Sequence, residues 1–233
     1  MRPFSGTLSA AAGPRLQDLL GDTADGSLSV LHTGPRAVYL AVDRPGAEPW
    51  CLGVVGSRAA ALPNALRLAL PDLRSLDLVE PTLEDGAVRL GSITLRVSRL
   101  VDVRVPPLRV AVEGDLGDVD SLVARVGLGD GLTPYADDVL CGWLAVQVGA
   151  DRLTAEVAEA VRASFGRTTL LSATLLDCAL RGEVLPEFAA YVRALGTDDQ
   201  VRREEALAAI GESSGRGLLT GARLALGAHA VLA

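Results

Sequence analysis

Hydrophobic positions change their period once along this chain. From Ser27 onward short apolar runs and alternations separated by Gly/Pro turns predict strands over Ser27–His32, Ala37–Val42, Trp50–Val55, Val88–Leu90 and Ile93–Val105. Within the last of these, Ile93, Leu95 and Val97 alternate, and Gly91-Ser92 suits a hairpin reversal before them. Ahead of the strands, Leu8–Leu20 reads as a short first helix, and Pro106-Pro107 stops further strand extension. Beyond Asp118 the period becomes helical, predicting helices over Val119–Val126, Tyr135–Gly149, Thr154–Phe165, Thr168–Arg181, Glu187–Leu195, Asp199–Ile210 and Ser214–Ala228. The expected class is α+β: an N-terminal β-rich half, a barrel or sandwich, followed by a C-terminal α-helical half. The expected domains are residues 1–115 and 116–233.

Composition narrows what such a chain can do. With 233 residues, 49% of them hydrophobic, it can bury a sizeable core. A net charge of −7 argues against nucleic acid or an anionic membrane as partner, although 22 basic side chains can still build a local anion pocket. All of those basic residues are arginine, which removes Schiff-base chemistry, a lysine-bound pyridoxal phosphate and a Walker-type phosphate lysine. Cys51, Cys141 and Cys178 are far apart and in no CxxC pattern, so they read as buried thiols rather than a disulfide framework or a zinc site. His32 and His229 sit at opposite ends of the chain and suggest neither ligand nor base. The N-terminus lacks the shape of a secretory signal, and the longest apolar stretches, Val139–Ala150 and Leu224–Ala233, are too short to span a bilayer; a cytoplasmic protein without membrane contact is expected. Only 3% of residues are aromatic, so packing relies on aliphatic surface, and a homo-oligomer that buries more of it is compatible with the composition.

One segment concentrates the candidate chemistry. In Gly127-Leu128-Gly129-Asp130-Gly131-Leu132-Thr133-Pro134-Tyr135-Ala136-Asp137-Asp138, alternate glycines lead into a helix start and two adjacent carboxylates. Glycines at every second position let the backbone take positive φ and approach a ligand closely. Thr133 and Pro134 read as N-cap and first helical residue, which would set the positive end of a helix dipole at the loop mouth. Asp137 and Asp138 lie about 100° apart on the helix surface, so at most one points straight at the loop. Such a pair can hold a divalent cation, orient a substrate amine or pin an arginine; no metal-ligand set is assigned. Hydroxyls open two further helices, Thr168 and Thr169 in one and Ser213 and Ser214 with Gly215 in the other, so three N-termini can converge on one anion. Arg167 and Arg216 sit beside two of these starts as candidates for charge-assisted contacts.

The string GLGDGLTPYADDVLCG resembles the GLGxGLTPxGDDxLxG signature of the AllH-like family, named for a subunit associated with bacterial oxamate carbamoyltransferase. The resemblance extends more weakly to Thr168-Thr169-x-x-Ser172 with Ala179 and Gly182, and to Gly211-Glu212-Ser213-Ser214-Gly215. Ala136 stands where the family usually has glycine, Tyr135 where serine is common, and Gly217 where relatives tend to carry aspartate. What the resemblance implies is a subunit of a carbamoyltransferase-like enzyme, acting on oxamate or a ureide-type compound with carbamoyl phosphate and sharing the activity with partner subunits. In that setting Asp137 and Asp138 are the catalytic candidates, and Gly129, Gly131, Leu132 and Thr133 with the second and third helix starts bind the anion. No cofactor is implied beyond a divalent cation compatible with the Asp pair. A second reading is a non-catalytic metabolite-binding or assembly subunit, since no well-placed histidine, lysine or activated cysteine is in view. A third is a phosphotransferase, for which the Asp pair is the only supporting sign.

Overall fold

The computed structural model describes residues 6–44, 46–76, 79–113 and 118–227. The chain divides into two compact units, Met1–Asp102 and Val103–Ala233. The class is α+β, as the change of period indicates.

The first unit is one nine-stranded sheet with a single helix. Its strands are β1 (Gly6–Ala12), β2 (Gly26–Ser27), β3 (Ser29–Thr33), β4 (Ala37–Arg44), β5 (Ala47–Val55), β6 (Ala65–Leu68), β7 (Thr82–Glu84), β8 (Ala87–Leu90) and β9 (Ile93–Leu100), and α1 spans Pro14–Asp22. Across the sheet they run β2-β7-β8-β9-β1-β6-β5-β4-β3. The two end strands of that order, β2 and β3, are separated in the chain by Leu28 alone, so the sheet curls until its edges meet, giving a nearly closed barrel. The pairs β1/β9 and β5/β6 are parallel and the rest antiparallel. One core fills the interior, with Leu40, Leu52, Leu66, Val88, Ile93 and Leu95 from the strands and Leu16 and Leu20 from α1.

Three expectations are corrected here. The segment expected as one helix over Leu8–Leu20 is a strand followed by a helix, because Pro14 begins the helix and the Ala10-Ala11-Ala12 run is claimed on both sides by β6 and β9. The strand expected over Ser27–His32 is two strands on opposite sheet edges, divided at Leu28, whose side chain enters the core. The strand expected over Ile93–Val105 ends as a ladder at Leu100, and Arg104 forms only an isolated bridge with Glu183. The hairpin at Gly91-Ser92 is present, with Leu90 paired to Ile93. β6 and β7 are too short to show a period in sequence.

The second unit is helical: α2 (Asp118–Ala124), α3 (Tyr135–Gly149), α4 (Ala155–Ala163), a 3-10 turn (Phe165–Arg167), α5 (Leu170–Leu180), α6 (Pro186–Ala194), α7 (Gln200–Ala208) and α8 (Ser214–Leu226). α3 is buried continuously from Asp137 to Gln147, as befits a helix apolar on every side, and packs against α5 and α8. Its approach to α8 is very close: a Cβ on Gly142 would lie 2.0 Å from the Leu218 carbonyl oxygen, and one on Gly221 1.8 Å from that of Val139. α8 ends in a left-handed Gly227, a common helix stop. The expected end of this helix at Ala228, the residue His229 and the expected domain boundary at residue 115 lie outside the described residues. Among the described residues no helix is long and apolar enough to cross a membrane.

Candidate functional site

The glycine loop owes its shape to two kinds of constraint. Gly127, Gly129 and Gly131 all have positive φ, at 87°, 127° and 89°. At Gly127 a side chain is also excluded by contact, since its Cβ would stand 2.2 Å from the Arg167 carbonyl oxygen, whereas at Gly131 a Cβ would meet open space. The loop folds back on the helix it feeds: the Ala136 amide donates to the Leu128 carbonyl at 3.2 Å and the Asp137 amide to that of Pro134 at 3.0 Å. α3 opens one residue later than the sequence suggests, with Pro134 as N-cap in an extended conformation and without a side-chain cap. Thr133 is therefore no cap, and its hydroxyl turns instead to Ser214, 3.0 Å away at the start of α8.

The adjacent aspartates have separate tasks. Asp137 is wholly buried and accepts hydrogen bonds from the Gly127 amide at 2.7 Å, from the Ser172 hydroxyl at 2.6 Å and from the Thr168 hydroxyl. One carboxylate thus ties the loop and the start of α5 to α3, and these charge-assisted bonds replace the water lost on burial. Asp137→Ala is expected to destabilise the helical unit by about 2–3 kcal/mol, because three donors lose their acceptor at once. Chemical denaturation of the two proteins side by side measures this.

Asp138 is 5% exposed, and its Oδ2 has no hydrogen-bond partner among the described residues. Burial pushes this carboxyl up to about 7; the Asp137 charge adds to the rise, while hydrogen bonds from the Ser214 and Thr133 hydroxyls oppose it. A carboxyl poised there takes up and releases a proton near neutrality. Gly217 packs against it so closely that a Cβ would lie 2.7 Å from the Asp138 Cβ. A side chain at position 217 therefore does not fit beside Asp138 on this backbone.

The three helix starts do converge, through Asp137 to Thr168, through Asp138 to Ser214, and through the 3.0 Å Thr133–Ser214 contact. Thr169 caps α5 by accepting from the Ser172 amide at 3.1 Å and donates its hydroxyl to the Leu132 carbonyl at 2.6 Å, which fixes the loop from the other side. Ser213 is the N-cap residue of α8, and Gly215 lies against the Leu207 carbonyl, where a Cβ would come within 1.9 Å. The arginines point elsewhere: Arg167 donates to the Val123 and Ala124 carbonyls at the end of α2, and Arg216 to the Glu212 carbonyl. Gly129 and Gly131 lie in the exposed part of the loop with Leu132. Two contributors went unassigned from sequence. Ser172 is a buried polar residue on the predominantly apolar α5, and Tyr135 pairs its hydroxyl with that of Thr220 at 3.1 Å. The thiols are buried; burial raises Cys51 to about 12, and burial with the charges of Asp138 and Asp137 raises Cys141 well above the ordinary thiol range, while His32 is exposed on β3.

Residues 125–226 match the family model described as oxamate carbamoyltransferase subunit AllH, which bears out the likeness seen in the glycine-loop motif. The match covers the loop, both aspartates and all three converging helix starts. No curated protein and no solved structure matches the chain.

Proposed function

From the match of residues 125–226 to a carbamoyltransferase subunit family, we propose that the chain is a subunit of a carbamoyltransferase-like enzyme, working with partner subunits on carbamoyl phosphate and a small anionic nitrogenous metabolite, oxamate or a ureide-type compound. The observation that carries a catalytic role for this chain is Asp138: a buried carboxyl that titrates near 7, with one oxygen unpartnered among the described residues, where three helix starts meet. In this reading the substrate nitrogen attacks the carbamoyl carbon, the bond from that carbon to the phosphate oxygen breaks with its electron pair going to phosphate, and the nitrogen's proton passes to Asp138. The Thr133 and Ser214 hydroxyls, both half-buried, connect Asp138 to the edge of the site and relay that proton. Asp137, Thr168 and Thr169 are positioning residues that hold the loop carrying Gly129, Gly131 and Leu132 against α5. Arg216, exposed and bonded to a carbonyl of its own helix start, must turn from Glu212 to meet a leaving phosphate, whereas Arg167 is spent on the end of α2.

In a system reconstituted with its partner subunits, Asp138→Asn is expected to lower carbamoyl transfer by on the order of a hundredfold while carbamoyl phosphate still raises the melting temperature. Unchanged turnover would remove Asp138 from the chemistry. It would favour the second reading, a metabolite-binding or assembly subunit, which draws support from the helix-start amides of Ala136 and Asp137 being bonded within the loop rather than offered to a ligand.

A further inference from the structure

The N-terminal barrel lies outside the matched residues and has a groove of its own, with a volume of about 460 Å³. That is within the size range of small-molecule sites. It is built on four neighbouring strands, β9-β1-β6-β5, and the turn after β5.

The ladder explains why two arginines meet there. Ala10 and Ala12 of β1 point into the barrel core, so Ala11 between them faces the other way. Ala11 pairs with Arg67 of β6 on one side and with Arg99 of β9 on the other, and paired residues share a face. Two strand spacings, about 10 Å, therefore separate the two arginine backbones, and alanine leaves the space between them open. Arg99 reaches that face only because of a bulge: Val97 pairs with Ala10 and Arg99 with Ala11, so Ser98 is an extra residue and the side chain after it is re-aimed outward. Arg67 is already oriented, donating from Nη2 to the Ala61 carbonyl at 2.8 Å. Ser9, Ser57 and Ser98 add hydroxyls, and among the described residues no carboxylate lines the groove, although the chain as a whole carries a net charge of −7.

We propose that this groove binds a small dianion, a phosphate monoester or a dicarboxylate, held between Arg67 and Arg99. Guanidinium pairs suit either group, because each presents oxygens that accept two parallel hydrogen bonds. The site is separate from the aspartate site of the helical unit and does not depend on its assignment.

Calorimetric titration of the full chain with inorganic phosphate and with succinate, at low ionic strength, tests it. At least one probe is expected to bind the wild type, and which one binds identifies the class. Arg99→Gln is expected to weaken that binding by on the order of tenfold or more, as loss of charge-assisted bonds does. Arg99 is exposed, so the variant is expected to fold; Arg67→Gln is a poorer probe because Arg67 also braces the turn after β5. Thr133→Val, in the other unit, should leave the binding unchanged. The proposal is overturned if neither probe binds the wild type, if Arg99→Gln binds as the wild type does, or if Thr133→Val alone abolishes binding.

Discussion

Gly221→Ala is expected to destabilise the helical unit by about 3 kcal/mol or more, although glycine-to-alanine inside a helix ordinarily gains about 0.5–1 kcal/mol. The ordinary gain comes from chain entropy and requires room for a methyl group. Here the methyl would lie 1.8 Å from the Val139 carbonyl oxygen and 2.8 Å from the Trp143 amide nitrogen, both backbone atoms of α3. No rotamer change relieves that contact, so α3 and α8 must separate. α3 bears Asp137 and Asp138, and α8 begins with Ser214, so the separation also pulls the site apart. For a chain of this length the loss corresponds to a fall in melting temperature of roughly 10 °C. Gly166→Ala is the matched control: it meets nothing within 4 Å and should melt within a degree or two of the wild type. A Gly221→Ala protein that melts at or above the wild-type temperature would refute the backbone contact between these helices.

That crossing shows where sequence reading succeeds and where it stops. The start of α3 was legible to one residue because Pro134 restricts where a helix can begin, and the hairpin at Gly91-Ser92 because both flanking runs alternate. β1 was hidden because three consecutive alanines carry the helical propensity of an isolated segment, while its state is decided by β6 and β9, whose paired residues lie more than fifty positions away. Likewise Ser27–His32 looks like one strand, and only closure of the barrel divides it at Leu28. At the site, the two aspartates are indistinguishable by type and spacing. They differ because Thr168, just ahead of α5, and Ser172, within it, give Asp137 hydroxyl donors, whereas Gly217 crowds Asp138 and among the described residues nothing bonds its Oδ2. The convergence of helix starts was foreseeable as a pattern, but the division between a carboxylate that holds the loop and one that can exchange a proton was not.

The largest effect of pH on stability is expected to trace to Asp138. Its carboxyl ordinarily titrates near 3.8 and is pushed up to about 7 in the folded chain, chiefly by burial. Between those values the folded protein keeps a proton that the unfolded chain has released, so folding takes up a proton and stability falls as the pH rises. The contribution is fully present below about pH 4 and is lost by the time the pH passes about 7. Each unit of that interval costs about 1.4 kcal/mol, so the full loss is about 4 kcal/mol. Other groups titrate over the same range, and the wild-type curve alone does not isolate this one. Asp138→Asn does: the amide has nearly the same shape as the protonated acid and cannot ionise. The stability of the wild type relative to Asp138→Asn should decline by about 4 kcal/mol between pH 4 and pH 8, most steeply between the two pKa values and levelling off past about pH 7, leaving the variant the more stable protein at pH 8. Denaturant titrations of both proteins across this range give the difference curve. A flat curve would mean that Asp138 titrates as an ordinary surface acid, and a curve rising with pH would mean that its ionised form is the one the fold prefers. A decline that levels off near pH 7 would also place the titration of the folded carboxyl in the pH range where carbamoyl transfer by this site should change, so the same variant joins the stability curve to the activity test.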